Sequence, residues 1–254
     1  MENILIIKNF LNKIKISKYT YFIILLCLIT GLVKELLIVS LLVLFHEFGH
    51  YFLSYIFKWK ICKIDIYPFG GFIKYEDQID KPLLQEFIVT IAGPIFQCFL
   101  YLIIISFKNY LSKYDIDMLK NYHIAMLCFN LIPIIPLDGS KMLNIILNKM
   151  FSFKNSNSIL SALSVLFLSI FMFYFKNNYS YYLLISFLLY ETILFIKNKK
   201  FLFYRFVYEK LLYNNNYKKI IRINNIFKMK RNRKHLFKNK NRYISEKEYI
   251  KKGV

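Results

Sequence analysis

Glycine and proline are scarce here, at 7 and 5 of 254 residues. Few positions therefore have a turn or a helix break written into them. The four cysteines (Cys27, Cys62, Cys98, Cys128) are scattered, and no CxxC pair offers a redox or metal motif. They read as small buried hydrophobes, reduced and inert. No small-residue cleavage site follows residues 19–33, so the first apolar run is expected to stay as an uncleaved span. No inverted repeat is visible and charges are not spread over several apolar runs, which argues against a transporter. No nucleic-acid-reading motif is present, and a nucleic-acid partner is not expected. Acidic side chains are also few, 15 against 36 basic, for a net charge of +21.

What is abundant is apolar: 57% of residues are hydrophobic and 19% aromatic. They fall in long runs with few charges, the signature of membrane-spanning helices. A bilayer offers the backbone no water, so each span must satisfy its own amides as a helix. Six spans are predicted, over residues 19–33, 36–57, 83–107, 119–137, 159–175 and 181–196. That layout places 31 Lys and Arg on the side of the termini and 5 on the other. The positive-inside rule then puts both termini, and the loop over 58–81, in the cytoplasm.

Within the second run stands His46-Glu47-Phe48-Gly49-His50, an HExxH motif. On a helix, positions i and i+4 share a face, so both imidazoles can bind one metal ion. Glu47 is placed to deprotonate a water whose pKa a zinc ion would lower to about 7. Ten residues of the run precede His46 and seven follow His50. At ~1.5 Å per residue the motif lies roughly 10–15 Å from either helix end, inside the membrane and nearer the cytoplasmic face.

Catalytic zinc usually has three protein ligands and an open position. The polar candidates in or near later spans are His123, Asp138 and Glu191. Asp138 follows Asn130-Leu-Ile-Pro133-Ile-Ile-Pro136-Leu137 and precedes Gly139. This is irregular backbone at membrane depth, tolerated where it lines a cavity or is buried in protein. His123 lies fifteen residues upstream, roughly 22 Å along a straight helix, and reads as an interfacial histidine. Glu191 reads as a snorkelling or hydrogen-bonding group. Further signals lie in residues 62–76. Cys62, Ile64 and Ile66 alternate with Lys63 and Asp65, and Pro68-Phe69-Gly70-Gly71 reads as a turn before residues 72–76. A cytoplasmic hairpin is predicted, with a free edge that could pair with substrate.

HExxH in an early span, with Asn-x-x-Pro-x-x-x-Leu-Asp-Gly in a later one, resembles the site-2 protease family of intramembrane zinc metalloproteases. "PFGG" at 68–71 and "AGPIFQ" at 92–97 extend the likeness. The short loops and the absence of an inserted PDZ-like domain resemble its sporulation branch. The resemblance implies one Zn²⁺ held by His46, His50 and Asp138, with Glu47 as general base and then proton donor. It implies that Asn130 contacts the substrate backbone or the developing oxyanion, and that the hairpin is re-entrant. It also implies a sigma-factor precursor as substrate, inhibitory membrane proteins as partners, and the mother-cell membrane around the forespore as location. The sequence leaves open another client such as an anti-sigma factor, a homo-oligomer, and a catalytically silent scaffold.

The expected architecture is an all-α polytopic membrane protein of about six transmembrane helices with a small re-entrant β-hairpin. Residues 1–200 form the protease domain in the bilayer, and 201–254 a basic cytoplasmic tail. From Lys197 onward, 19 basic residues face Glu209, Glu246 and Glu248. No complete CBS domain, the usual continuation in the sporulation branch, is expected there. Ile220, Ile223 and Phe227 have helical spacing that suits an anionic leaflet. The default for the tail is a disordered or weakly helical solvated segment.

Overall fold

The computed structural model describes residues 9–67, 70–76, 79–177, 181–213, 217, 219–239 and 242–253. Pro68 and Phe69, half of the predicted turn, lie outside the described residues. The chain divides into two compact units, Met1–Asp77 with Ile88–Asn130, and Gln78–Phe87 with Leu131–Val254.

The first unit begins with a short strand β1 (Ile14–Ile16) and helix α1 (Lys18–Ile29). Ser17 caps α1, its Oγ accepting from Thr20 N at 3.2 Å. Gly31, at φ +76°, ends it, and Leu32 N–H reaches back to Cys27 O at 2.9 Å. That six-to-one bond needs a left-handed residue in the middle, the role glycine fills most cheaply. Helix α2 (Val33–Ile56) follows at once. Its end repeats the device with Lys58 at φ 57° and Trp59 N–H on Ser54 O at 2.9 Å.

Strands β2 (Ile61–Tyr67) and β3 (Gly70–Tyr75) pair antiparallel, as the alternation predicts. β1 adds to β2 in parallel, giving the order β1-β2-β3. One face of this sheet closes a core of Phe10, Tyr51, Ile61 and Ile64, with Phe48 and Ile73 against it. Tyr51 and Phe48 are α2 residues beside the HExxH pair, so this packing lays the hairpin along the motif. Ser54 Oγ and Tyr75 Oη, 2.9 Å apart, join α2 to β3 as well.

Helix α3 (Leu83–Ser106) contains Pro94, and α4 (Lys113–Leu131) follows a 3₁₀ turn at Lys108–Tyr110. Leu42, Leu100 and Leu119 bring α2, α3 and α4 together. Gly49 permits a close crossing: a Cβ there would stand 2.5 Å from the Ala92 carbonyl oxygen.

The predicted span over 119–137 is not one helix. α4 stops at Leu131, residues 132–137 are irregular with a cis Ile135–Pro136 bond, and α5 (Asp138–Met150) starts anew. Pro133 and Pro136 cannot donate to a helix ladder. Ile134, Ile135 and Leu137 bury this segment. Helix α6 (Phe153–Tyr174) carries buried Ser156, Ser161 and Ser164, and α7 (Tyr182–Leu212) runs well beyond the predicted end at residue 196. Ser164 Oγ and Thr192 Oγ1 bond the Pro133 and Ile135 carbonyls at 3.5 and 3.3 Å.

Among the described residues, three helices are long and apolar enough to cross a membrane: α2, α3 and α6. α1 has 12 residues and is a shorter apolar helix. Large hydrophobics face outward along them, such as Ile95, Phe99 and Leu102 on α3 and Leu166, Ile170 and Phe173 on α6. That is the surface expected of an integral membrane protein.

The tail departs from its expectation. Ile220–Ile223 is a strand (β4), not a helical face, pairing in parallel with β5 (Lys234–Asn239), which pairs antiparallel with β6 (Arg242–Ser245); helix α8 (Glu246–Gly253) follows. Phe206, Met229, Phe237 and Ile250, all at most 1% exposed, form its core with Phe153 and Phe203. These apolar residues are spread over α6, α7, the end of a 3₁₀ turn, β5 and α8, so no single window shows their periodicity. The fold is therefore mostly helical with two small sheets rather than all-α with one hairpin.

Candidate metal centre

His46, Glu47 and His50 lie on the buried face of α2 at 2, 4 and 5% exposure. Their nearest ligand atoms all fall within 4.8 Å of one another, a grouping that could hold a metal ion. The two Nε2 atoms are 3.2 Å apart. Each ring is held by its other nitrogen: His50 Nδ1 lies 2.7 Å from the Val89 carbonyl, and His46 Nδ1 3.1 Å from Gln97 Oε1. Both acceptors belong to α3, and both leave the Nε2 lone pairs converging. Holding two such lone pairs together, away from water, is unfavourable unless a cation or proton lies between them.

Gly93 leaves the space into which both imidazole tips reach. A Cβ on it would overlap His50 Nε2 and come within 2.8 Å of His46 Nε2. Glu47 is fixed from the hairpin: Gly71 N donates to Oε1 at 3.1 Å. A side chain at Gly71 would strike Glu47, 2.5 Å from Cγ and 2.6 Å from Cδ. In that sheet Asp65 bridges Lys63 and Lys74 at 3.0 and 3.1 Å. Burial pushes its carboxyl up, but hydrogen bonds and charge from the two lysines outweigh this and hold it below the usual carboxylate range.

Asn130 is buried at the end of α4, in the same unit as the histidines. Asp138 belongs to the second unit, in the first turn of α5, at 4% exposure. Its Oδ1 accepts from Lys141 Nζ at 2.8 Å. The segment before it is anchored: a Cβ on Gly139 would meet the Leu131 and Ile132 carbonyls. Glu191 is half-buried on α7. His123, which the sequence reads as an interfacial histidine, packs inside the protein. It is 6% exposed, stacked on Tyr101 with ring centroids 4.3 Å apart, and bonded to Gln97. The cysteines are also less buried than expected: Cys62 and Cys128 are exposed, Cys27 and Cys98 half-buried, and all four are free.

The sequence reading places Gly71 in a turn and His123 at the interface, and gives Gly93 and Gln97 no role. Gly71, Gly93 and Gln97 stand inside "PFGG" and "AGPIFQ", so the signal is present without its geometry.

Comparison with known proteins follows the same division. Residues 34–124 match the profile of Peptidase family M50. That stretch holds His46, Glu47, His50, Gly71, Gly93 and Gln97, and ends before Asn130 and Asp138. Stage IV sporulation protein FB of Bacillus subtilis is 34% identical over 147 residues, covering 57% of this chain and 51% of that protein. A zinc metalloprotease of Methanocaldococcus jannaschii is 30% identical over 125 residues, covering 46% of this chain and 35% of that one. The chain thus aligns with about half, or less, of the length of these relatives. The solved structure of the site-2 protease from Methanocaldococcus jannaschii superposes with a TM-score of 0.57 at 23% identity, covering 71% of this chain and 89% of that chain; the likeness is one of fold. The stretch that builds the histidine pair and holds Glu47 is thus the one that is similar to peptidase family M50.

Proposed function

We propose that this chain is an intramembrane zinc metalloprotease, hydrolysing a peptide bond of a membrane-associated protein near the cytoplasmic face. The observation that carries the reading is the buried pair of Nε2 atoms 3.2 Å apart with Glu47 beside them. Two imidazoles bound to one tetrahedral zinc at ~2.0–2.1 Å would stand about 3.3 Å apart, so the donor set fits. His46, His50 and Asp138 would hold the ion, Asp138 completing the usual three protein ligands. Zinc, when bound, supplies a Lewis acid that polarises the scissile carbonyl and acidifies water.

The remaining chemistry belongs to side chains. Glu47, steadied by Gly71 N, accepts the proton of the attacking water and returns it to the leaving amine. Asn130 would donate to the developing oxyanion; such a donor is worth ~3 kcal/mol. A helical substrate hides its peptide bonds, so it must be drawn out as a strand. β3 is the edge of its sheet, and its Gly71 amide faces Glu47. Substrate pairing along that edge would lie beside the base.

The substrate we propose is the precursor of a sigma factor, in the mother-cell membrane around the forespore, under control of inhibitory membrane proteins. The likeness to a sporulation protein supports this choice. The six-span layout with cytoplasmic termini belongs to the same reading.

Co-expression with a tagged precursor tests it. The chain should yield a shortened product and Glu47→Gln none. Product from both variants would remove Glu47 from the chemistry. Cleavage of a model transmembrane substrate but not of the precursor would keep the enzyme class and change the client.

A further inference from the structure

Gln97 is fully buried on α3, and His123 is buried on α4. Neither belongs to HExxH or to the Asn130–Asp138 segment. Burying an amide and an imidazole among apolar helices is costly unless their polar atoms are paired. Those of Gln97 are paired in one sense only. Its Oε1 lies 3.1 Å from His46 Nδ1, and its Nε2 lies 3.1 Å from the His123 carbonyl and 3.2 Å from His123 Nδ1.

These contacts determine where protons reside. A carbonyl oxygen only accepts, so the end of Gln97 facing the His123 carbonyl must be its NH₂. The amide oxygen then faces His46. It too only accepts, so His46 carries its proton on Nδ1 and keeps a lone pair on Nε2. The second hydrogen of the Gln97 NH₂ goes to His123 Nδ1, which must be the unprotonated nitrogen of a neutral ring. Tyr101 stacks on that ring at an interplanar angle of 6° and fixes its plane. His50 obtains the same tautomer from the Val89 backbone carbonyl. His46 depends on a side chain, that of Gln97, for it.

We infer that Gln97 is the positioning residue for His46, and that His123 acts through Gln97 by locking the sense of its amide. His46–Gln97–His123 thus work as one unit that presents the His46 Nε2 lone pair to the metal. The inference rests on the zinc site proposed above. Outer partners of this kind commonly matter by 10–100-fold in metal affinity.

The test uses the purified full chain in detergent, with zinc affinity from chelator competition and the visible spectrum of the cobalt-loaded protein. Gln97→Leu removes the acceptor and should weaken zinc binding by about 10–100-fold and shift the cobalt bands. His123→Phe keeps the stack on Tyr101 and the backbone carbonyl, and should weaken binding less. The double variant should bind no more weakly than Gln97→Leu alone, because His123 acts only through Gln97. Should Gln97→Leu fail to fold, by circular dichroism and gel filtration, His123→Phe carries the test by its loss of affinity and its cobalt shift. A folded Gln97→Leu with parental affinity and spectrum overturns the inference alone, as does a double variant whose losses multiply. A parent chain that binds no zinc overturns the zinc reading with it.

Discussion

Gly93 shows how much of this site is made by an absent atom. In a helix interior, alanine is favoured over glycine by about 1 kcal/mol, yet alanine here would place a Cβ on His50 Nε2. Gly93→Ala should therefore keep its helical circular dichroism, because the propensity gain offsets part of the overpacking cost, and retain under a tenth of the parent's zinc and activity. Normal zinc content in that variant would mean the metal lies elsewhere. The residue scale is also where the sequence is most and least legible. His46, Glu47 and His50 are readable because their chemistry and their i, i+4 spacing coincide. Gly93 and Gly71 are not, because what a glycine contributes is a distance to another element. The partner of His123 is hidden for a related reason: distance along its helix says nothing of a residue on the neighbouring one, here Gln97.

Among the elements, the hairpin sets what Glu47 meets. Amides alternate sides along a strand. Gly71 N–H faces Glu47 rather than β2, so the Ile73 amide lies on the same open edge of β3. Ile73→Pro would remove one donor from that edge without touching the β2 ladder. Cleavage should slow about 5–10-fold, the loss of roughly one hydrogen bond, while zinc content stays parental; unchanged cleavage would dismiss strand addition. Asp65 adds a pH limit to the same hairpin. Its folded-state pKa is depressed, so its two ion pairs stabilise the sheet above the unfolded value of about 3.9 and are lost as pH falls through the lower folded value. Amide exchange in β2 and β3, corrected for intrinsic rates, should be level from neutral pH to about 4 and rise below it. Asp65→Asn should abolish that step, an effect under ~1 kcal/mol because both lysines are partly exposed. The hairpin was legible from the alternation of Cys62, Ile64 and Ile66 with Lys63 and Asp65. The pairing of β1 was not, since Ile14–Ile16 is three residues long and finds its partner some fifty residues away.

For the whole molecule, apolar runs gave the membrane character and missed the tail. Long hydrophobic windows announce α2, α3 and α6 because each carries its own signal. The β4-β5-β6 sheet does not, because its core borrows Phe153 from α6 and Phe206 from α7. Charge misled there too. A segment so basic reads as solvated, yet Lys210 and Arg231 are buried, Lys210 paired with Asp80 and Arg231 with Glu86 and Asp80. Burial alone would lower the Arg231 pKa; the Glu86 and Asp80 carboxylates raise it above the ordinary value, so it stays charged. Across both units the central claim is that the chain holds catalytic zinc at His46 and His50. Elemental analysis of the purified full chain, beside Glu47→Gln and His46→Ala, tests it most directly. The account predicts about one zinc per chain in the parent and in Glu47→Gln, since two histidines and a third ligand suffice to hold it, and almost none in His46→Ala. A zinc-free parent, or a His46→Ala chain that keeps its zinc, would contradict it.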